Sequence, residues 1–207
     1  HELSFTLLAE TPVLVLGTAL CTREDALALE AHIRQGGAAV IATTPYTIDL
    51  QNDWSAVESD DPVPFMLQTF GLTFKDGLTA DIANFRLALY SDQDATGKPI
   101  AGKTEYRNYP LWPVLAPQEA LPNGMTLFWP DALDLAGDVA AQEGFALQPL
   151  LTTSDHAWQL PGGAQADTNP LSLSQTPPES AQTGAATVAA ALIPQGATAP
   201  SAVIIGD

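Results

Sequence analysis

The sequence predicts a three-layer α/β domain with a mainly parallel sheet, to which the middle of the chain adds extra strands or hairpins. Three patterns support this fold class. A strand, a capped helix and a second buried strand open the chain, two buried strands close it, and prolines and polar turns interrupt the segment between them. Apolar residues make up 46% and charged residues 15% of the 207 residues, which is typical of one globular domain.

The opening segment is predicted to be a strand–helix–strand unit. "VLVLG", residues 13–17, is an apolar run that ends at a glycine and indicates a buried strand. Thr22 and Asp25 have the spacing of a capping box and predict a helix start, and "QGG" at 35–37 predicts its end. A second buried strand follows at 38–43. Because such units normally form right-handed crossovers, we expect the two strands to be parallel.

The remainder of the chain is predicted to contain one short helix and several strands separated by loops. The helix is expected at Val63–Gly71, where a glycine ends it. Strands are predicted at 72–82, 85–92, 124–130, 145–154, 157–160, 186–193 and 201–207, and irregular segments at 45–62 and 107–122. Residues 161–186 are rich in Pro, Gly, Ser, Thr and Gln, so we expect a flexible loop there.

The charge balance argues against several classes of partner. Seven Lys and Arg against 24 Asp and Glu give a net charge of −17, and no Lys or Arg follows Arg107. Such a surface repels nucleic-acid phosphates and anionic lipids. The apolar runs are far shorter than the roughly 20 residues of a membrane helix, so we expect a soluble domain. The chain opens on His1 and stops after a strand-like run, so we interpret residues 1–207 as one domain excised from a longer, membrane-anchored protein.

Cys21, the only cysteine, is a candidate nucleophile because it lies at a predicted strand-to-helix turn. A helix N-terminus lowers the pKa of a thiol and favours its reactivity. However, the flanking "TALCTRE" lacks the glycines of a nucleophile elbow, and His32 lies about 15 Å along the same helix. His156 is the one remaining possible base. We therefore interpret Cys21 as a half-buried filler ahead of the helix cap.

Other constellations that could support chemistry also fail on spacing. Ser154, Asp155 and His156 are consecutive, whereas the members of a catalytic triad come from separate elements. No Cys or His pair has metal-ligand spacing, and neither "DGLTADIANF" nor "SDQDATG" matches a calcium loop. Neither "GGAAV" nor "PGGAQAD" matches a phosphate-binding loop. The sequence therefore assigns no catalytic, cofactor-binding or metal-binding residue.

Five aromatic residues near predicted strands and loops are candidates for binding: Tyr46, Trp54, Trp112, Trp129 and Trp158. Indoles near loops can line sugar or peptide grooves. Core packing is the commoner role beside strands, so both interpretations stay open. A sugar- or peptide-binding module that uses Trp112, Trp129 or Trp158 is one functional hypothesis.

Five motifs follow one another in an order that resembles a known family. They are "VLVLGTALCTREDALALEAHIRQGGAAVIATTP", "FMLQTFGLTFKDGLTADI", "YRNYPLWPVL", "LLTTSDHAW" and "VAAALI…SAVIIGD". Together they run from Pro12 to Asp207, with Asn108 and Tyr109 standing where the family has a histidine. The series resembles the soluble domain of auxiliary components of ABC transport systems of the GldG type, which is linked to gliding motility.

This resemblance implies a Rossmann-like sheet of the flavodoxin and class I glutamine amidotransferase kind. It also implies an extracytoplasmic, periplasmic domain of an inner-membrane protein that works beside an ABC permease and an ATPase. It assigns no catalytic residue, because the Gly-x-Cys-x-Gly elbow of amidotransferases is missing around Cys21. The leading hypothesis is a non-enzymatic accessory domain that binds a protein partner or a ligand. The alternatives are a degenerate hydrolase around Cys21 and His156, or the sugar- or peptide-binding module.

Overall fold

The structure is a computed structural model that describes residues 10–51, 54–90, 92, 94–96, 98, 100, 102–160 and 167–207. Its helices are α1 (Arg23–Arg34), α2 (Pro62–Gln68) and α3 (Gly137–Gln142). Its strands are β1 (Val13–Leu16), β2 (Ala39–Thr43), β3 (Tyr46–Ile48), β4 (Ala56–Glu58), β5 (Leu72–Phe74), β6 (Thr79–Ala80), β7 (Asn84–Tyr90), β8 (Thr104–Leu115), β9 (Met125–Thr126), β10 (Leu133–Leu135), β11 (Phe145–Thr152), β12 (Trp158–Gln159), β13 (Thr187–Pro194) and β14 (Ala202–Gly206). None of the helices in this described part has the length and apolar character that crossing a membrane requires.

The principal sheet has five strands in the order β1-β2-β14-β13-β11. β2 is parallel to both β1 and β14, as the crossover through α1 predicts, whereas β13 is antiparallel to both of its neighbours. The prediction of a mainly parallel, three-layer Rossmann-like sheet is therefore wrong. β13 and β14 are joined by a short turn at residues 195–201, and such a turn can connect only antiparallel strands.

The helical layer covers one face of this sheet. Leu29 of α1, Leu67 of α2 and Ile41 of β2 are fully buried in one core cluster. On the opposite face of β1, Leu14 and Leu16 are 65% and 71% exposed. In the described residues, no third layer therefore covers this part of the sheet.

Small antiparallel sheets form the rest of the molecule. They pair β3 with β4, β5 with β10, β6 with β12, and β7 with β8 and then β9. These pairs supply the extra strands and hairpins that were predicted for the middle of the chain. The predicted loop at 45–62 contains the β3–β4 hairpin, and neither β10 nor α3 is predicted by the sequence patterns.

The longest strand, β8, lies in a segment that was predicted to be irregular because of its prolines. Proline lacks an N–H group and is tolerated in a strand only where that donor is not needed. The carbonyl of Pro110 accepts a hydrogen bond from the Asp81 N–H (3.0 Å), and that of Pro113 accepts one from the Leu127 N–H (3.1 Å). Both prolines are thus integrated into the structure through their carbonyls. The prediction of an irregular segment at 107–122 is wrong for residues 107–115, which belong to β8, whereas residues 116–122 are turns and loop.

The first two helices begin and end for reasons that the sequence contains. The Thr22 hydroxyl accepts a hydrogen bond from the Asp25 N–H (3.2 Å), and the Asp25 carboxylate accepts one from the Thr22 N–H (2.8 Å), so the predicted capping box is confirmed. α2 starts after Asp61, whose carboxylate accepts from the Val63 N–H (2.9 Å). It ends before Gly71, where φ is +78° and a side chain would overlap the Ala136 carbonyl.

Candidate functional site

Polar side chains meet at the carboxyl ends of the parallel strands, which is where α/β sheets most often bind ligands. Thr18 follows β1, Thr43 ends β2 and Asp61 caps α2, and all three are buried. The Thr18 hydroxyl donates to Asp61 and lies 2.5 Å from the Thr43 hydroxyl, which is also 3.4 Å from the same carboxylate oxygen. The other Asp61 oxygen accepts from Val63. This network joins β1, β2 and α2, and its carboxylate is already committed to structural hydrogen bonds.

Cys21 lies in the same loop as Thr18, just ahead of α1, and is half-buried against the core beneath that helix. Burial raises the pKa of its thiol, and the negative charges of Asp61 and Asp25 raise that pKa further. The expectation that the helix N-terminus would lower this pKa is therefore wrong, because burial and the nearby acidic groups both favour the protonated thiol. At neutral pH Cys21 is a protonated thiol and a poor nucleophile.

The two candidate bases, His32 and His156, lie in environments that differ from that of Cys21. His32 is buried on α1, where its Nε2 lies 3.2 Å from the Ala38 carbonyl and its ring packs so closely on Gly37 that a side chain there would overlap it. His156 is exposed in the turn after β11. Among the hydrogen bonds of the described residues, none joins Cys21 to either histidine. The structure therefore does not assemble the Cys21–His156 pair that the hydrolase hypothesis requires.

The Ser154–Asp155–His156 segment is a turn held by a buried carboxylate. Asp81 accepts from the Ser154 hydroxyl (2.6 Å) and from the Ser154 N–H (2.8 Å), while the Ser154 oxygen accepts from the His156 N–H (3.1 Å). Asp81 also accepts from the Ala83 N–H (2.9 Å). The Asp81 carboxylate thus stabilises two turns. This structural role explains the second aspartate of the "DGLTADIANF" motif.

The other oxygen-rich motifs give no ion site in the described part of the chain. No group of three or more His, Cys, Asp or Glu side chains there could hold a metal ion. In "SDQDATG", Asp94 accepts from the Thr96 hydroxyl and N–H and from the Lys98 N–H, while three other positions of the motif lie outside the described residues. Most of "PGGAQAD", at 161–166, also lies outside them.

Asp131 is a buried acid that the sequence patterns do not single out. It is fully buried near the carboxyl end of β14, where its backbone N–H donates to the Gly206 carbonyl (3.2 Å). Its Oδ2 accepts from the Thr44 hydroxyl, and its Oδ1 has no hydrogen-bond partner among the described residues. Burial raises the pKa of this carboxyl to about 8, although the Thr44 hydrogen bond opposes the shift.

A groove of about 540 Å³ separates α1 from α2. We call it the helix groove; its lining residues are Cys21, Arg23, Ala26, Leu27, Glu30, Asp60, Pro62, Phe65 and Met66. Leu27 and Phe65 are 56% and 65% exposed, so their apolar surface faces the outside of the molecule. Cys21 contributes to this wall as a small apolar side chain. The sequence patterns did not identify the groove because residues of two separate helices form it.

The predicted aromatic set divides into core and partly exposed members. Trp158 is buried, which argues against a role in binding. Tyr109, which does not belong to the predicted set, is fully buried; its hydroxyl donates to the Thr168 carbonyl (2.6 Å) and accepts from the Trp129 indole N–H (2.8 Å), and burial raises its pKa to about 12. Trp54 and Trp129 adopt positive φ angles of 61° and 53°, which are uncommon for bulky residues. Tyr46 and Trp112 are partly buried and pack against the core cluster that contains Tyr109 and Trp158.

The comparison with known proteins supports the ABC transport family that the order of motifs resembles. A model of the family described as "ABC-type uncharacterized transport system" matches residues 9–202. No curated protein and no solved structure matches the chain. The family match covers nearly the whole sequence, including both strands that meet at the carboxyl edge and both helices of the groove. The chain therefore belongs to this family of auxiliary components of ABC-type transport systems.

Proposed function

We propose that the chain is a non-enzymatic accessory domain of an ABC-type transport system and that it binds a partner subunit through the helix groove. The observation that supports this most directly is the pair of large apolar side chains, Phe65 and Leu27, that stand more than half exposed on facing helices. Exposed apolar surface of this kind marks interaction sites in soluble proteins. Burying such a side chain contributes about 1.5–3 kcal/mol.

The chemistry of the partner follows from the charges around the groove. Glu30 and Asp60 line it together with Arg23, and Glu30 also forms an ion pair with Arg34 at 2.9 Å. The whole chain carries a net charge of −17. We therefore expect the bound segment to carry apolar side chains flanked by Lys or Arg, because such charges speed association and exclude acidic competitors.

A binding role also agrees with the chemistry available near Cys21. Its thiol is protonated at neutral pH, and the nearby Asp61 carboxylate caps α2 and accepts from threonine hydroxyls. A covalent mechanism requires a nucleophile that is activated by a base within hydrogen-bond reach. The groove instead offers apolar contact area, which suits binding.

The motif series supports a more specific assignment. We propose that the partners are the permease and ATPase subunits of a transport system of the gliding-motility type, and that this single domain lies in the periplasm as part of an inner-membrane protein. Protease added to spheroplasts is then expected to cleave the domain, whereas protease added to intact cells leaves it whole. Equal protection in both preparations would contradict this location.

The binding role is tested by isolating the tagged full-length protein with its partners in mild detergent. The double variant Phe65→Ala and Leu27→Ala is expected to lower the recovery of transporter subunits by about tenfold or more, since each tenfold corresponds to about 1.4 kcal/mol. Leu171→Ala is the matched control, because Leu171 is exposed to the same extent as Phe65, at 65%. Thermal unfolding of each variant checks that the fold is intact.

Two results would count against the proposal in different ways. Unchanged recovery with the folded double variant would remove the helix groove as the docking surface. If the unmodified protein brings down no ABC subunit at all, the proposed partners are wrong.

A further inference from the structure

The principal sheet has an open edge at β1. Among the described residues this strand pairs only with β2 and leaves its other side unpaired. The Val13 N–H donates to the Ala38 carbonyl (2.8 Å), and the Gly17 N–H likewise donates into β2 (3.0 Å). Because alternate residues of a strand direct their backbone groups to opposite sides, the N–H and C=O groups of Leu14 and Leu16 face away from the sheet.

The side chains of the same two leucines form an apolar surface next to this edge. Leu14 and Leu16 are 65% and 71% exposed on the sheet face opposite the helical layer. Val40, which is the register neighbour of Leu14 on β2, lies on that face too and is 36% exposed. The edge therefore combines unpaired backbone groups with exposed apolar side chains.

The opposite edge of the sheet, at β11, is protected against pairing. This strand contains Pro149 and two register shifts, and the Gln118 side chain pairs with the Thr152 N–H (3.0 Å) and carbonyl (2.7 Å). Prolines, bulges, covering segments and charged side chains are the devices by which folded proteins prevent edge-to-edge pairing. β1 contains no proline, no charged residue and no register shift, so its edge is able to pair.

The strands at this edge carry none of the charge that separates two copies of the molecule. Residues 11–22, 35–48 and 180–206 contain no Asp, Glu, Lys or Arg, and they include β1, β2 and β14. The whole chain has a net charge of −17, so two copies repel each other where their acidic surfaces meet. Contact through these uncharged strands keeps that repulsion low.

We propose that two copies of the chain pair through β1 in antiparallel orientation, about a two-fold axis that places Val15 opposite its counterpart in the second copy. In this register Leu14 lies opposite Leu16 of the second copy, and the two residues exchange N–H to C=O hydrogen bonds. The symmetry repeats the same pair on the other side of the axis. All the outward-facing backbone groups of β1 are thereby paired, and the principal sheet becomes continuous across both copies.

This register also brings the exposed leucines together. Side chains directly opposite each other on antiparallel strands have Cβ atoms about 4.5–5.5 Å apart, so Leu14 and Leu16 of both copies form one apolar cluster on the uncovered face. A shift of two residues places one leucine opposite either Pro12, which has no N–H, or Thr18, which lies beyond the strand. The strand is thus complementary to itself, which favours a second copy over an unrelated strand as the occupant.

Analytical ultracentrifugation of the chain over a range of concentrations tests the association. A monomer–dimer equilibrium is expected, and Leu14→Lys is expected to raise its dissociation constant about tenfold or more, because an ammonium group enters the leucine cluster. The substitution lowers the net negative charge, so general repulsion cannot cause the loss. Leu171→Lys is the matched control, because it makes the same change at a leucine that is also 65% exposed.

Amide hydrogen exchange, measured by NMR, locates the interface. The Leu14 and Leu16 N–H groups gain hydrogen bonds only in the dimer, so their exchange is expected to slow as the protein concentration rises. The Val13 N–H donates to Ala38 within each copy and serves as the internal reference.

Three outcomes would overturn the proposal. The first is a chain that stays monomeric at every concentration, and the second is a dimer that the folded Leu14→Lys variant retains in full. The third is a dimer in which the Leu14 and Leu16 amides exchange as fast as in the monomer, which would assign the association to another surface. Leu14→Thr replaces Leu14→Lys if the charge unfolds the domain, because threonine suits a strand and removes the apolar contact. Failure here leaves the helix groove unaffected, since Phe65 and Leu27 belong to other elements.

Discussion

At the scale of single residues, burial decides the protonation state of Asp131. The side chain is fully buried, and only the Thr44 hydroxyl donates to it among the described residues. Burial without a compensating charge disfavours the carboxylate, which raises the pKa to about 8. Asp131 is therefore mostly a neutral carboxylic acid at pH 7.

The raised pKa of Asp131 predicts a specific dependence of stability on pH. Between its ordinary pKa of 3.8 and about 8, the folded state holds a proton that the unfolded state has released. The contribution of Asp131 to the free energy of unfolding is thus fully present below pH 3.8 and is lost as the pH rises toward 8. Asp131→Asn cannot ionise, so its stability relative to the unmodified protein is expected to increase steadily across this range.

Urea unfolding at several pH values measures that difference. Asp138→Asn is the matched control, because it makes the same substitution at an aspartate that is exposed on α3. A constant difference between Asp131→Asn and the unmodified protein would show that Asp131 has an ordinary pKa.

At the scale of elements, local signals predict α1 better than any other part of the fold. The helix start depends on two residues three positions apart, Thr22 and Asp25, whose reciprocal hydrogen bonds need no information from the rest of the chain. The helix ends at Arg34, and its C-cap residue, Gln35, precedes a glycine with a φ of +82°. Short-range chemistry of this kind can be identified directly in the sequence.

Removing the cap should destabilise the domain by a modest amount. Thr22→Ala deletes the hydroxyl that accepts from the Asp25 N–H, and N-cap substitutions of this type cost about 1 kcal/mol. Thr22→Ser keeps the hydroxyl and is expected to restore most of that loss. The midpoint of urea unfolding measures both variants, and equal destabilisation by Ala and Ser would contradict a capping role.

Elements that depend on distant partners could not be predicted. β8 contains Pro110 and Pro113, which the sequence marks as irregular, and its pairing with β7 and β9 becomes visible only when those strands are in place. The same holds for the helix groove, because Phe65 and Leu27 are ordinary helix residues until α1 and α2 are packed together.

At the scale of the whole molecule, the error about the principal sheet comes from the direction of its strands. The apolar runs correctly predict β13 and β14 as buried strands. An apolar run does not indicate, however, whether a strand is parallel or antiparallel to its neighbour. A short turn between them makes the second half of the principal sheet antiparallel. The family assignment did not depend on strand direction, and the match over residues 9–202 supports it independently.

The surface charge dominates the electrostatics of the molecule. Twenty-four acidic and seven basic residues give a net charge of −17, and the ion pairs of the described residues involve only four of the basic ones, Arg34, Lys75, Lys103 and Arg107. Exposed pairs of this kind contribute about 0.2–1 kcal/mol each. We therefore expect repulsion among the excess acidic groups to outweigh these pairs and to destabilise the folded state at low ionic strength.

Sodium chloride should consequently raise the thermal unfolding midpoint. Screening shortens the reach of each charge to about 10 Å at 0.1 M, so most of the increase is expected below about 0.2 M. A gain of about 1–2 kcal/mol corresponds to a few degrees, at about 2–4 °C per kcal/mol for a chain of this size. Calorimetry between about 0.01 M and 0.5 M measures the curve. A midpoint that is flat or falls over the low-salt range would mean that the ion pairs, rather than the excess carboxylates, control the electrostatic stability of the domain.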